Sequence, residues 1–216
     1  MTYMLRGKFQ HEDFVGHKGE IGPGDLQFMI AGRGVMHAEM PMHGPGLENP
    51  FGLQLWIDLP KQHKLVKPSY QELRADQIPS AQYSPEVLIK VVCGEALGAD
   101  GEVVSSPVRP LGGCWFFDVK ISKEGESMWQ AIPKGWNAFI YTLEGEVQVG
   151  DSPLTVAPFF TSVLTAKEGE TGVEVTSKAG FSRFVIIAGE PLDQEIVQHG
   201  PFVMDTRAGI QQAFME

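Results

Sequence analysis

PGDLQFMIAGRGVMHAEMP, residues Pro23 to Pro41, sets two metal-ligand side chains two positions apart just after a glycine-punctuated turn. Pro23-Gly24-Asp25 is a turn that opens a strand, Leu26 to Ile30 is a short apolar run, and Gly32-Arg33-Gly34 is a second turn. Beyond it, Met36, Ala38 and Met40 alternate with His37 and Glu39. A strand repeats every two residues, so His37 and Glu39 leave one face together and the apolar residues take the other. Imidazole and carboxylate on one wall of a β-barrel are half of the ligand set that holds an iron-type divalent metal, with positions open for substrate and dioxygen.

Working outward, one phrase occurs twice. Tyr3-x-Leu5-x-Gly7-x-Phe9-Gln10 returns as Tyr141-x-Leu143-x-Gly145-x-Val147-Gln148, a strand, a turn and a strand in each place. Each copy continues through a turn-rich middle to a closing apolar strand, Leu53 to Leu59 in the first and Phe184 to Ala188 in the second. Two copies imply two barrels. The second copy has no histidine ahead of Tyr141 and no His-x-Glu after Pro158, so a metal is expected only in the first. Alternation in the second predicts that Phe139, Tyr141, Val147 and Val185 face inward or pack between sheets.

Composition agrees. At 216 residues the chain allows two small domains, and 43% hydrophobic residues suffice for packed cores. With 25 Gly, 15 Pro and few helical periods it reads as all-β. The polar, proline-containing stretch from Arg74 to Ser80 is the linker, which gives domains at 1–74 and 75–216. Asp205 or Thr206 can cap a short C-terminal helix carrying Ile210, Ala213 and Phe214, weakened by Gly209. A net charge of −10 argues against direct nucleic-acid binding, which needs a basic face. Two cysteines, Cys93 and Cys114, without metal-type spacing suit a reducing compartment. The N-terminus lacks the apolar core of a signal peptide and no apolar run reaches membrane-spanning length, so an intracellular location is expected.

The runs HEDFVGHKGEIGPGDLQFMIAGRGVMHAEMP (His11 to Pro41) and FGLQLWIDLP (Phe51 to Pro60) resemble the pirin family. So do PSYQEL (Pro68 to Leu73), GEALG (Gly94 to Gly98), IPKGWNAFIYTLEGEV (Ile132 to Val147), IAGEPL (from Ile187) and VQHGPFVM (ending at Met204). The resemblance implies a bicupin, two double-stranded β-helix barrels of which only the N-terminal one binds iron, through three histidines and a glutamate. His37 and Glu39 are then the third histidine and the carboxylate. The first two family histidines form a His-x-His within HPHRGFE, just upstream of the tyrosine of the repeated phrase; only Met1 and Thr2 precede Tyr3 here. The chain is therefore expected to be shortened at its N-terminus relative to the family, with an incomplete first barrel and an exposed edge near Tyr3 to Leu5 through which it self-associates. His11, His17, His43, His63 and His199 stand as lone histidines, more often structural than ligating.

For function, the resemblance implies an iron-dependent dioxygenase of the quercetin 2,3-dioxygenase type acting on a flavonol-like molecule, with Glu39 both metal ligand and base. The alternatives are a non-enzymatic, iron-dependent coregulator in the nucleus that binds transcription-factor proteins, or an inactive short form lacking two ligands. Nucleus and cytoplasm are the compartments implied.

Overall fold

The computed structural model describes residues 1–165 and 169–215. Contacts divide them into two units, one of residues 1–77 with 192–216 and one of residues 78–191. In the first unit the strands are β1 (Thr2–Arg6), β2 (Phe9–Asp13), β3 (Lys18–Ile21), β4 (Leu26–Ile30), β5 (His37–Pro41), β6 (Phe51–Gln54) and β7 (Ser69–Leu73). The second unit holds β8 (Ser80–Ser84), β9 (Val87–Cys93), β10 (Glu95–Leu97), β11 (Val103–Ser105), β12 (Cys114–Ile121) and β13 (Ser127–Ala131). It continues with β14 (Asn137–Glu144), β15 (Val147–Val149), β16 (Thr155–Val156), β17 (Thr161–Leu164), β18 (Gly172–Ser177) and β19 (Ser182–Gly189). The hairpin β20 (Val197–His199) and β21 (Phe202–Met204) and the helix α1 (Arg207–Met215) return to the first unit.

The repeated phrase folds alike in both places. β1 turns into β2 at Gly7 with φ +67°, and β14 turns into β15 at Gly145 with φ +66°. A Cβ at Gly7 would lie 2.6 Å from the Pro50 backbone and one at Gly145 would lie 2.1 Å from the Phe181 carbonyl oxygen. Both the left-handed conformation and the close approach demand glycine.

Each unit sets a larger sheet against a smaller one. In the first, the order β6-β1-β4-β7 faces β3-β2-β5. In the second, β17-β14-β19-β12-β9-β8 is paired with β13-β18-β15-β16. The expected open edge at Tyr3 to Leu5 is not there: β1 is hydrogen-bonded on both sides, by β4 and β6, and Tyr3 and Met4 are buried. Among the described residues β5 is instead an edge strand of the smaller sheet, pairing with β2 alone. The sequence placed the gap beside the first strand it could see, whereas sheet order follows pairing across the barrel.

The second unit has an apolar core of Ile89, Phe117, Val119, Met128, Ile140 and Phe184 with their neighbours. Alternation in β14 runs in the opposite phase to part of the expectation. Ile140 points into this core, while Phe139 and Tyr141 lie half-buried on the other face, where Tyr141 pairs with buried Val185. Val147 is in the core as expected.

The C-terminal segment, read as part of the second domain, groups with the first unit. Gln194 accounts for part of this: its amide nitrogen donates to Asp58 Oδ2 at 2.8 Å and to the Leu59 carbonyl at 2.9 Å, and its oxygen accepts from the Lys61 backbone N–H at 2.8 Å. α1 is the expected helix, with Thr206 rather than Asp205 as its cap, accepting the Gly209 N–H at 3.1 Å. Among the described residues no helix is long and apolar enough to cross a membrane.

Candidate metal centre

The lumen of the first unit is polar. Pairing across the larger sheet brings Gln54, Thr2, Gln27 and Glu72 into one row, because Thr2 lies opposite both Gln54 and Gln27 and Gln27 opposite Glu72. On the smaller sheet His11 lies opposite Glu39, and Asp13 opposite His37. Directly opposed residues share a face, so His37, Glu39, His11 and Asp13 lie together.

Contacts across the lumen join the two rows. Gln54 Nε2 donates to Glu39 Oε2 at 2.8 Å, the Thr2 hydroxyl approaches Glu39 Oε1 at 3.5 Å, and Gln54 Oε1 accepts from the Trp56 indole at 3.1 Å. The Glu39 carboxylate is thus positioned from the opposite sheet. His37 is exposed on the open strand β5. The expected pair therefore shares a face, one member held and the other open.

A second group forms where β2, its hairpin and β7 meet. His11 Nε2 lies 2.9 Å and His17 Nε2 3.7 Å from Glu72 Oε1. One ligand atom from each of His11, His17 and Glu72 falls within 4.8 Å of the other two. His17 is placed by its surroundings: Asp13 Oδ1 accepts the backbone N–H groups of Val15 and His17, and the His17 ring stacks on Tyr70 with centroids 4.4 Å apart. Tyr70 and Glu72, two apart on β7, reach the same hairpin.

Charge states follow from these neighbours. Burial holds the His11 imidazole below its ordinary range, against the pull of Glu72. Burial pushes the Asp13 carboxyl up, but the N–H groups of His17 and Val15 and the nearby Tyr70 hydroxyl bring it below the usual carboxylate range overall. Burial, and then the Asp13 carboxylate, push the Tyr70 phenol up to about 12. Its hydroxyl lies beside Asp13 without meeting it in hydrogen-bond geometry.

The duplicated phrase allows the second unit to be read position by position. Val149 pairs with Val175 as His11 pairs with Glu39, which puts Val175 at the place of Glu39 and Val173 at the place of His37. Both valines are core residues. Beside them β13 places Met128 opposite Val175 and Gln130 opposite Val173. In the first unit no described strand takes that position next to β5.

Of the remaining histidines, His43 is exposed in its loop, His63 ends a 3-10 helix, and His199 meets Phe214 edge-on. Sequence reasoning treated His11 and His17 as isolated and never singled out Glu72. Their separation by a short hairpin with Gly16 near its turn was the available signal; Glu72, contributed by a strand far along the chain, left none.

Comparison with known proteins agrees with this architecture. Residues 1–57 match the Pirin family model and residues 116–216 the Pirin C-terminal cupin domain. Human Pirin is 44% identical over 220 residues, covering all of this chain and 71% of the human protein. A pirin-like protein of Solanum lycopersicum is 42% identical over 218 residues, covering all of the chain and 70% of that protein. Among solved structures, a quercetin 2,3-dioxygenase from Acinetobacter baumannii superposes with a TM-score of 0.87 at 28% identity, over 99% of this chain and 72% of that one. A bacterial pirin from Escherichia coli in complex with nickel(II) shares the fold with a TM-score of 0.63 at 18% identity, over 88% of this chain and 71% of that one. Two barrels built on one repeated hairpin, and family matches in order along the sequence, place this chain in the pirin family of bicupins.

Proposed function

We propose that the first barrel carries a mononuclear iron centre to which His37 and Glu39 contribute, and that the chain's activity is that of a quercetin 2,3-dioxygenase-type enzyme on a flavonol-like substrate. The observation that carries this reading is the shared lumen face of His37 and Glu39, with the Glu39 carboxylate fixed by Gln54 at 2.8 Å. The similarity to the Acinetobacter baumannii quercetin 2,3-dioxygenase supports the substrate class.

The residues present fit half of such a centre, one imidazole and one carboxylate on one wall. A strand paired with β5 as β13 is paired with β18 would put two more side chains, two positions apart, on the same face. That is where the family resemblance implies the His-x-His. When bound, the metal would polarise the substrate oxygen and lower the cost of its deprotonation. Glu39 would hold the proton taken from the flavonol hydroxyl, and Gln54 would keep the carboxylate aimed at the lumen.

The test is iron content after anaerobic reconstitution, together with dioxygen-dependent loss of quercetin absorbance, for the chain and its Glu39→Gln form. The variant is expected to lose turnover by at least about 100-fold, the usual scale of a positioned base. Equal turnover in the two would refute the reading. Iron binding without any flavonol consumption would instead favour the coregulator alternative.

A further inference from the structure

The group formed by His11, His17 and Glu72 involves neither His37 nor Glu39. From its geometry we infer a second cation site in the first barrel, in which His11 Nε2, His17 Nε2 and one Glu72 oxygen take a divalent first-row transition metal.

Four observations carry this. First, the donor set is two imidazoles and a carboxylate, the composition that suits iron, cobalt, nickel or zinc rather than the all-oxygen sites of calcium or magnesium. Second, the spacing is close to what one ion requires. Metal–ligand bonds of about 2.0–2.2 Å put adjacent donors about 2.8–3.6 Å apart, and the two imidazole nitrogens lie 2.9 and 3.7 Å from Glu72 Oε1.

Third, His11 Nε2 is buried without a hydrogen-bond partner although a carboxylate oxygen lies 2.9 Å away. A simple ion pair would aim the N–H at that oxygen. Here the nitrogen and the oxygen stand side by side, and a cation bound to both satisfies both. Fourth, the donors are held in place before any ion arrives. Gln27 Nε2 donates to Glu72 Oε1 at 3.3 Å, Tyr70 stacks on His17, and Asp13 pins the turn that carries His17.

Gly19 provides a handle that is not itself a ligand. A Cβ there would lie 2.4 Å from His11 Nε2 and 3.3 Å from Glu72 Oε2. Glycine at this place leaves the imidazole its position by steric necessity, and Gly19→Ala should displace the ring while keeping all three ligands.

The experiment is titration of the full chain with Co²⁺, followed by isothermal calorimetry and by the visible d–d absorption that reports nitrogen and oxygen ligation. The His37→Ala/Glu39→Gln form isolates the proposed site and is expected to bind one Co²⁺ per chain. Adding His17→Ala or Glu72→Gln to it should weaken binding at least about tenfold, since loss of even an outer-shell partner costs about 10–100-fold. Adding Gly19→Ala should weaken it similarly. His17 is 37% exposed and Glu72 33%, so both variants are expected to fold, which far-ultraviolet circular dichroism checks. The inference is overturned if the His37→Ala/Glu39→Gln form binds no Co²⁺, or if either His17→Ala or Glu72→Gln leaves the affinity within about threefold.

Discussion

Arg183→Met should be among the most damaging single substitutions in the second barrel. Arg183 Nε reaches Asp118 Oδ1 at 2.9 Å and its NH2 reaches Oδ2 at 2.7 Å, a two-pronged contact satisfying both carboxylate oxygens. The Asp118 side chain is 1% exposed and that of Arg183 15%. Breaking a buried pair from one side costs about 3–5 kcal/mol, because the surviving charge loses the two-pronged contact that offset its desolvation. Asp118 is the deeper partner, so Arg183→Met belongs at the upper end. Asp118→Leu belongs at the lower end, since the guanidinium it leaves is partly reached by water and lies 3.9 Å from the Glu144 carboxylate. Replacing both charges together should return stability to within about 1–2 kcal/mol of the parent. Equilibrium urea unfolding followed by tryptophan fluorescence reads this, with Trp115 and Trp129 in the same unit. At a slope of about 1–3 kcal/mol per molar, Arg183→Met should lower the midpoint by about 1 M or more. A cost below about 1 kcal/mol for Arg183→Met, or a double variant as unstable as the two singles added, would refute the reasoning.

The open strand β5 should make the chain self-associate at micromolar concentration. Ala38→Lys, a charge on that exposed edge, should shift sedimentation toward monomer, and a parent that is already monomeric would count against it. Gln194→Ala removes three hydrogen bonds between the C-terminal segment and residues 58–61, a loss of about 2–4 kcal/mol at roughly 1 kcal/mol each. Amide hydrogen exchange in α1 should quicken accordingly, and unchanged protection would show that the helix is held by other contacts.

The duplication was legible because a turn with positive φ admits few residues. Gly7 and Gly145 survive in both copies, and they anchor the register from which every later correspondence follows. His37 and Glu39 were legible because two residues of separation in a strand already determine a common face. What escaped was set by distance along the chain. Glu72 meets His11 only because β7 pairs with β4 and both sheets close over one lumen. The phase of β14 escaped for another reason: aromatic Phe139 and Tyr141 compete with Ile140 for the interior by hydrophobicity alone, and only the partner sheet decides between them.

The same architecture is filled in two incompatible ways. Where the second barrel stacks Val149, Val173, Val175 and Ile140, the first has His11, His37, Glu39 and Thr2 at the matching positions. Donor groups turned inward must be kept hydrated, paired or bound to an ion, and each displaces a side chain that would otherwise contribute burial. A single barrel would have to compromise between cohesion and reactivity. Doubling the fold removes the compromise, because one copy is free to become all core while the other gives up apolar packing to keep donor groups in its interior.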